Sequence, residues 1–325
     1  MQNKIILNPS ELISKTKGQF IEPPDDQKLA LYLSNLPYYD LIKGYKKSKL
    51  KDANNQFLQN LDIDMLYQIH WLDLSLSNLL LKFSLETEKH LKSELSTVIA
   101  QYGNTPEQYL NQRYYKNTNS RTLGNIKDDI KNDMTGDFQK VKDSKGTIPS
   151  WYLIQKLSLG RIINWYSILN AYPKKQVTSN FLDMPKALHI RNEQRKKALF
   201  KKFLDYILEV RNKTAHGQRI LNIDIKTELD LTLLKEAGVD KYFKLNSKKT
   251  TAISDISNFV AIIILLTNLS PFAVNVYNEF STFFMNRKNE KNNPLNEINM
   301  DAYNLFDINE EDLTRILNLL KFRFK

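Results

Sequence analysis

"NLDIDMLYQIHWLDLSLSNLLLKFSLETEKHLKSELSTVIAQYG", residues 60–103, contains no proline and keeps its one glycine for the last position. Leu66, Ile69, Leu72, Leu76, Leu79, Leu80 and Phe83 recur mainly at steps of three and four, the period that lines one face of an α-helix. The stretch predicts the longest helix of the chain, stopped at Gly103, and with it an all-α fold. Composition agrees. Only 9 Gly and 10 Pro among 325 residues leave little material for a turn-rich β architecture.

The same period recurs on both sides. "FIEPPDDQKLALYLSNLPYYDLIKGY" opens with a Pro-Pro stop and an Asp that can cap a helix near Gln27. "IPSWYLIQKLSLGRIINWYSIL" restores a strong apolar pattern behind Pro149 and Ser150. A Lys/Arg-rich helix is expected from about Asn192 to Arg211, with Leu199, Phe203, Ile207 and Val210 as its core-facing stripe. Residues 111–147 are polar with weak periodicity, which predicts an exposed, partly mobile insertion around one short helix. "NEEDLTRILNLLKF" reads as a final amphipathic helix. The resulting division is an N-terminal extension at 1–27, a helical core at 28–222 holding the insertion, and a C-terminal helical elaboration at 223–325 packed on that core.

The chain has no cysteine, so disulfides, a thiol nucleophile and Cys-ligated zinc are ruled out, and the usage fits a cytoplasmic setting. The opening residues lack the apolar core of a signal peptide. Ile256–Asn278 is uncharged, but its purely apolar run, Phe259–Leu266, is far short of the roughly 18–20 residues of a membrane span. It reads as a buried helix and predicts no membrane partner. No His/Asp/Glu group has metal-ligand spacing and no Gly-rich phosphate loop occurs, so neither metal nor cofactor is expected. His70 lies in an apolar run and reads as a core residue, while His90 and His189 sit among charges and read as solvent-facing. The net charge of +11 and pI near 9.4 suit a polyanionic partner.

Chemistry gathers in "EVRNKTAHGQRILN", residues 209–222. Arg211 and His216 are five residues apart, about 140° around a helix, whereas Asn212 and His216 share a face. Gly217 lets the helix end or bend directly after His216. Guanidinium and imidazole could then meet at a loosened helix end, or across a symmetric dimer that pairs this segment with its copy. Such a pair is sufficient for RNA cleavage without a metal. The histidine moves a proton at the 2′-OH or the leaving 5′ oxygen, and the arginine holds the phosphorane, giving a 2′,3′-cyclic phosphate and a 5′-hydroxyl. Arginine and histidine near a helix end also serve as ordinary caps and surface pairs.

"VRNKTAHGQRILN" resembles the Arg-Asn-…-Ala-His motif of HEPN-superfamily ribonucleases, in the form carried by Abi-like abortive-infection proteins of the AbiD/AbiF type. "LSNLPYYDLIKGY" resembles that family's Tyr-Tyr…Gly-Tyr block, "ETEKHLKSEL" its Glu-containing helix, and "IPSWYLIQKLSLGRI" its Pro-x-Trp…Gly block. The four blocks lie in the family's order over roughly residues 28–222. The resemblance implies a HEPN-type helical bundle with added N- and C-terminal helices, working as a homodimer. It further implies a composite RNase site of Arg211, Asn212 and His216, with Glu88 a weaker candidate, in an antiphage, toxin-like setting. A small structured non-coding RNA is implied as a possible partner or antitoxin. Two positions depart from the pattern: Lys92, where an arginine is expected, and Gly217, which is often a larger polar residue.

Basic clusters flank the motif. Arg191, Arg195, Lys196, Lys197, Lys201 and Lys202 precede Arg211, and Lys43, Lys46 and Lys47 follow Tyr38 and Tyr39. Lysines neutralise phosphates and exposed tyrosines stack on unpaired bases, so these residues are candidate RNA contacts. The bland alternative is a solvated face with half-buried tyrosines. The leading expectation is a metal-independent endoribonuclease. The rival is a module that holds a structured small RNA as a ribonucleoprotein with cleavage absent or regulated, and a third is a helical protein-interaction scaffold.

Overall fold

The computed structural model describes residues 8–325 apart from 46–47, 117–119, 134, 222, 247–250, 253–254, 289–293 and 299. Helices α1 (Pro9–Lys17), α2 (Asp26–Asn35) and α3 (Tyr38–Leu41) precede the long α4 (Ile63–Ala100). Then come α5 (Pro106–Tyr109), α6 (Ser120–Lys131), α7 (Asp137–Lys145), α8 (Ser150–Lys156), α9 (Leu159–Ile168) and α10 (Ala171–Leu182). The rest are α11 (Glu193–Ala215), α12 (Leu231–Glu236), α13 (Ile256–Leu266), α14 (Ser270–Lys288), α15 (Ala302–Leu305) and α16 (Glu310–Phe324). Among the described residues the strands are β1 (Leu229–Asp230) and β2 (Thr251–Ala252), antiparallel with Leu229 opposite Ala252. The fold is all-α.

Local chemistry sets the helix ends. Asp25 accepts from the Lys28 amide and starts α2, and Ser158 does the same for Arg161 at the start of α9. The strong apolar pattern behind Pro149 and Ser150 is carried by two helices, α8 and α9, with Ser158 between them. The uncharged stretch is likewise two helices: the chain turns extended at Thr267, and Ser270–Pro271 opens α14. All of α13 is buried, and among the described residues no helix is long and apolar enough to cross a membrane.

Two compact units are present. The first combines Met1–Leu79, Lys213–Asp224 and Asn278–Glu311. Its core includes Leu29, Leu41, Leu66, Ile69 and Leu76, a Phe20–Phe57 ring pair with centroids 4.9 Å apart, and Phe284 against Tyr303 and Phe306. Lys49 ties the N-terminal part to Asp307 and, at 2.9 Å, to the Asn304 carbonyl.

The second unit combines Leu80–Asn212, Ile225–Tyr277 and Asp312–Lys325. The apolar stripe of α11 (Leu199, Phe203, Ile207, Val210) is wholly buried in it. Residues 111–147 differ from their expectation. They form α6 and α7, and Tyr115, Leu123, Ile126 and Phe138 are buried, with Asp129 bonded to Arg161 at 2.9 Å. Few apolar residues suffice there because each docks on a preformed face. Arg323, fully buried, donates to the carbonyls of Phe181 (2.6 Å), Leu182 (3.3 Å), Met184 and Lys186, so a guanidinium closes the end of α10; burial brings it down to about 10.

Candidate functional site

Arg211 and Asn212 occupy the last turns of α11, where Val210 and Thr214 face inward. Arg211 lies over α4: its Nε is 3.6 Å from Glu88 Oε2, too long for a hydrogen bond but close enough for an ion pair. Glu88, 6% exposed, also takes Lys92 Nζ at 2.8 Å, and Lys92 reaches the Gln155 carbonyl at 3.1 Å. A carboxylate that deep needs cations around it, and here it has two. The weaker family candidate Glu88 therefore meets Arg211 directly and links it to the divergent Lys92. Arg211 Nη1 also donates to Asn212 Oδ1 at 3.3 Å; the Asn212 side chain is exposed.

The chain leaves the helix through His216. Gly217 N donates to the Thr214 carbonyl at 3.1 Å and Gln218 N to the Lys213 carbonyl at 2.9 Å, the paired bonds of a Schellman cap. Gly217 sits at φ +66°, the left-handed position that motif requires and glycine tolerates. Its divergence from the family pattern thus closes the helix. His216 occupies the cap position and is exposed.

Below this turn, Asp73 of α4 accepts Leu221 N at 2.6 Å and Ile220 N at 3.3 Å. Arg219 pairs with Asp73 at 3.7 Å, donates to the Asp40 carbonyl, lies 2.5 Å from His70 Nδ1, and covers the Tyr45 ring at 4.7 Å. Gly44 makes room for it, since a Cβ there would come within 3.2 Å of Arg219 Nε. Burial pushes the Asp73 carboxyl up, against the pull of the two amides and Arg219. Burial, then Arg219, lowers His70, which favours a neutral ring accepting at Nδ1. Sequence reasoning missed this anchor. Its signal was present: Arg219 belongs to the same motif stretch as His216, and Asp40, Gly44 and Tyr45 belong to the Tyr-Tyr…Gly-Tyr block. His70 is half-buried with a polar partner. His90 is half-buried too, its ring 4.1 Å from that of Phe181, so it does not face solvent freely.

The basic candidates divide. Lys43, Arg191 and Lys202 are exposed, and so is Tyr39 at 65%, with Lys43 Nζ 5.7 Å from its ring centre. Tyr38 is half-buried against Lys15. Arg195 pairs with Glu236 at 2.7 Å and Lys201 with Asp205. Lys196 and Lys197 correct the expectation of a uniformly solvent-facing cluster. Lys196 is 5% exposed and bound to Asp183, and Lys197 is buried with its ammonium on the Ala171 carbonyl at 3.0 Å. Lys196 stands four residues before Phe200 on the packed side of α11, where a count of charges cannot see the face. Lys46 and Lys47 lie outside the described residues. Among the described residues no group of three His, Asp or Glu is placed to hold a metal ion.

Residues 31–222, more than half of the chain, match the family model described as Abi-like protein. No curated protein and no solved structure matches the chain.

Proposed function

The chain belongs to the Abi-like protein family, and from that premise we propose that it is an abortive-infection protein that cleaves RNA with Arg211 and His216. The observation that carries the reading is the setting of Arg211: a buried Glu88–Lys92 pair fixes the arginine in the last turns of α11, directly before the exposed His216. A planar, permanently charged fork suits a phosphate in transition, and an exposed imidazole suits proton transfer to or from ribose oxygens. Asn212, hydrogen-bonded to Arg211, orients that fork. In a homodimer, two copies of this segment supply a composite site. His216 of one copy serves the 2′-OH or the 5′ oxygen, and the arginines stabilise the phosphorane. Lys43 and Tyr39 in the first unit, and Arg191 and Lys202 in the second, are exposed, and each is proposed as a contact to RNA.

The charge of +11 also favours a second reading, in which the protein holds a structured small RNA without cutting it. Growth arrest and RNA cleavage by wild type, Arg211→Ala and His216→Ala separate the two. Loss of both activities with RNA binding retained supports the nuclease; a wild type that binds RNA but neither arrests growth nor cuts supports the binding module.

A further inference from the structure

A cavity of about 230 Å³ opens in the second unit, lined by Lys116, Lys174, Lys197 and Lys201 together with Gln194 and Ala171. Lys201 stands ten residues before Arg211 on α11, roughly 15 Å along the axis, so the cavity is separate from the arginine. No carboxylate among the described residues lines it. Among the described residues none comes within ion-pair reach of Lys116 or Lys174, while Asp205 holds Lys201 and Glu193 holds Lys175 at 3.5 Å and draws on Lys197. With Lys175 counted beside the four lining lysines, five ammonium groups face the carboxylates of Asp205 and Glu193, an excess of positive charge that suits a phosphate monoester near neutral pH.

The cluster is built and strained. Lys174 Nζ donates to the Ser167 carbonyl at 2.6 Å and lies 5.1 Å from the centre of the Tyr166 ring. Burial, and then repulsion from Lys116, Lys197 and Lys201, brings Lys174 down to about 8. An ammonium carries three donors, so Lys174 and Lys197 each have capacity beyond the one carbonyl they bind. Ala171, the first residue of α10, brings its carbonyl to Lys197 and so holds that ammonium at the cavity wall. The volume falls below the roughly 300–1,000 Å³ of sites for drug-sized ligands, which suits an anionic head group and excludes a whole nucleotide.

We propose that this pocket binds a terminal phosphate group, with Lys174 as its central contact and Lys116, Lys197 and Lys201 completing the cage. The phosphate arrives either on the end of an RNA or on a free nucleotide whose sugar and base remain outside. The site stands independently of the cleavage reading.

Calorimetric titration of the full chain with inorganic pyrophosphate tests it. Saturable binding is expected, at least about tenfold weaker in Lys174→Met and in Lys116→Gln, the order of one lost charge-assisted contact. Lys116 is exposed, so its substitution leaves the fold intact and carries the test should Lys174→Met fail to fold. Absence of binding by the wild type, or equal binding by Lys116→Gln and any folded Lys174→Met, would overturn the proposal. Competition by a 5′-phosphorylated RNA but not by its 5′-hydroxyl counterpart assigns the phosphate to RNA, and competition by ADP alone assigns it to a nucleotide. Equal competition by the 5′-hydroxyl RNA, or none by any of the three, would overturn a terminal-phosphate site.

Discussion

Asp73 is the residue on which the turn behind His216 depends most. It is 3% exposed, takes two backbone amides at 2.6 and 3.3 Å, and faces Arg219 at 3.7 Å. In Asp73→Asn one acceptor oxygen remains, and the new NH2 group points at a donor. One charge-assisted hydrogen bond, about 1.5–3 kcal/mol, is lost, and Arg219 is left without its carboxylate. Breaking a buried pair from one side costs about 3–5 kcal/mol in total, a large share of the ~5–15 kcal/mol that holds a typical fold together. At roughly 1.5 °C per kcal/mol for a chain of this size, the melting temperature falls by about 4–7 °C. Differential scanning calorimetry reads that shift. Asp73→Asn combined with Arg219→Gln costs less than the two single changes added, because the uncompensated charge leaves with the arginine. A drop below about 2 °C for Asp73→Asn, or strict additivity in the double variant, refutes the anchor.

Three further outcomes follow from the same geometry. Gly217→Ala places a Cβ at φ +66° and destabilises the Schellman cap by about 1–2 kcal/mol, seen as a lower urea midpoint with unchanged slope. Glu88→Gln removes the charge that sets Arg211 and Lys92, so the rate of RNA cleavage falls by about tenfold or more while RNA binding, measured by filter retention, persists. His70 has a folded-state value below its ordinary one, so the unfolded chain takes up the proton first as pH falls through about 6.5, and stability is lost from there downward. His70→Asn, which keeps an acceptor for Arg219, flattens the melting temperature between pH 7 and 5.5.

Local signals made much of the fold legible. The three-and-four spacing of Leu66 to Phe83 gives α4, Asp25 starts α2, and Gly217 ends α11 where the sequence allowed a stop. The Ser270–Pro271 pair carried information too, but the uncharged run crossed that break and outweighed it. The weak periodicity of 111–147 hid α6 and α7, because burial of Leu123, Ile126 and Phe138 depends on surfaces supplied by other helices. In the candidate site, the motif stretch pointed to Arg211, and the resemblance pointed to Glu88. Nothing in one sequence states that Asp73 will meet amides 147 and 148 residues further on, or that Lys196 and Lys197 turn inward. Such pairings are properties of tertiary packing.

The central claim concerns the ends of the RNA fragments. Purified wild type, incubated with RNA in EDTA and analysed by mass spectrometry, should leave 2′,3′-cyclic phosphate and 5′-hydroxyl ends, and His216→Ala and Arg211→Ala should leave the RNA whole while still binding it. Fragments with 3′-hydroxyl and 5′-phosphate ends, or cleavage that survives both substitutions, would contradict a site made of that arginine and histidine.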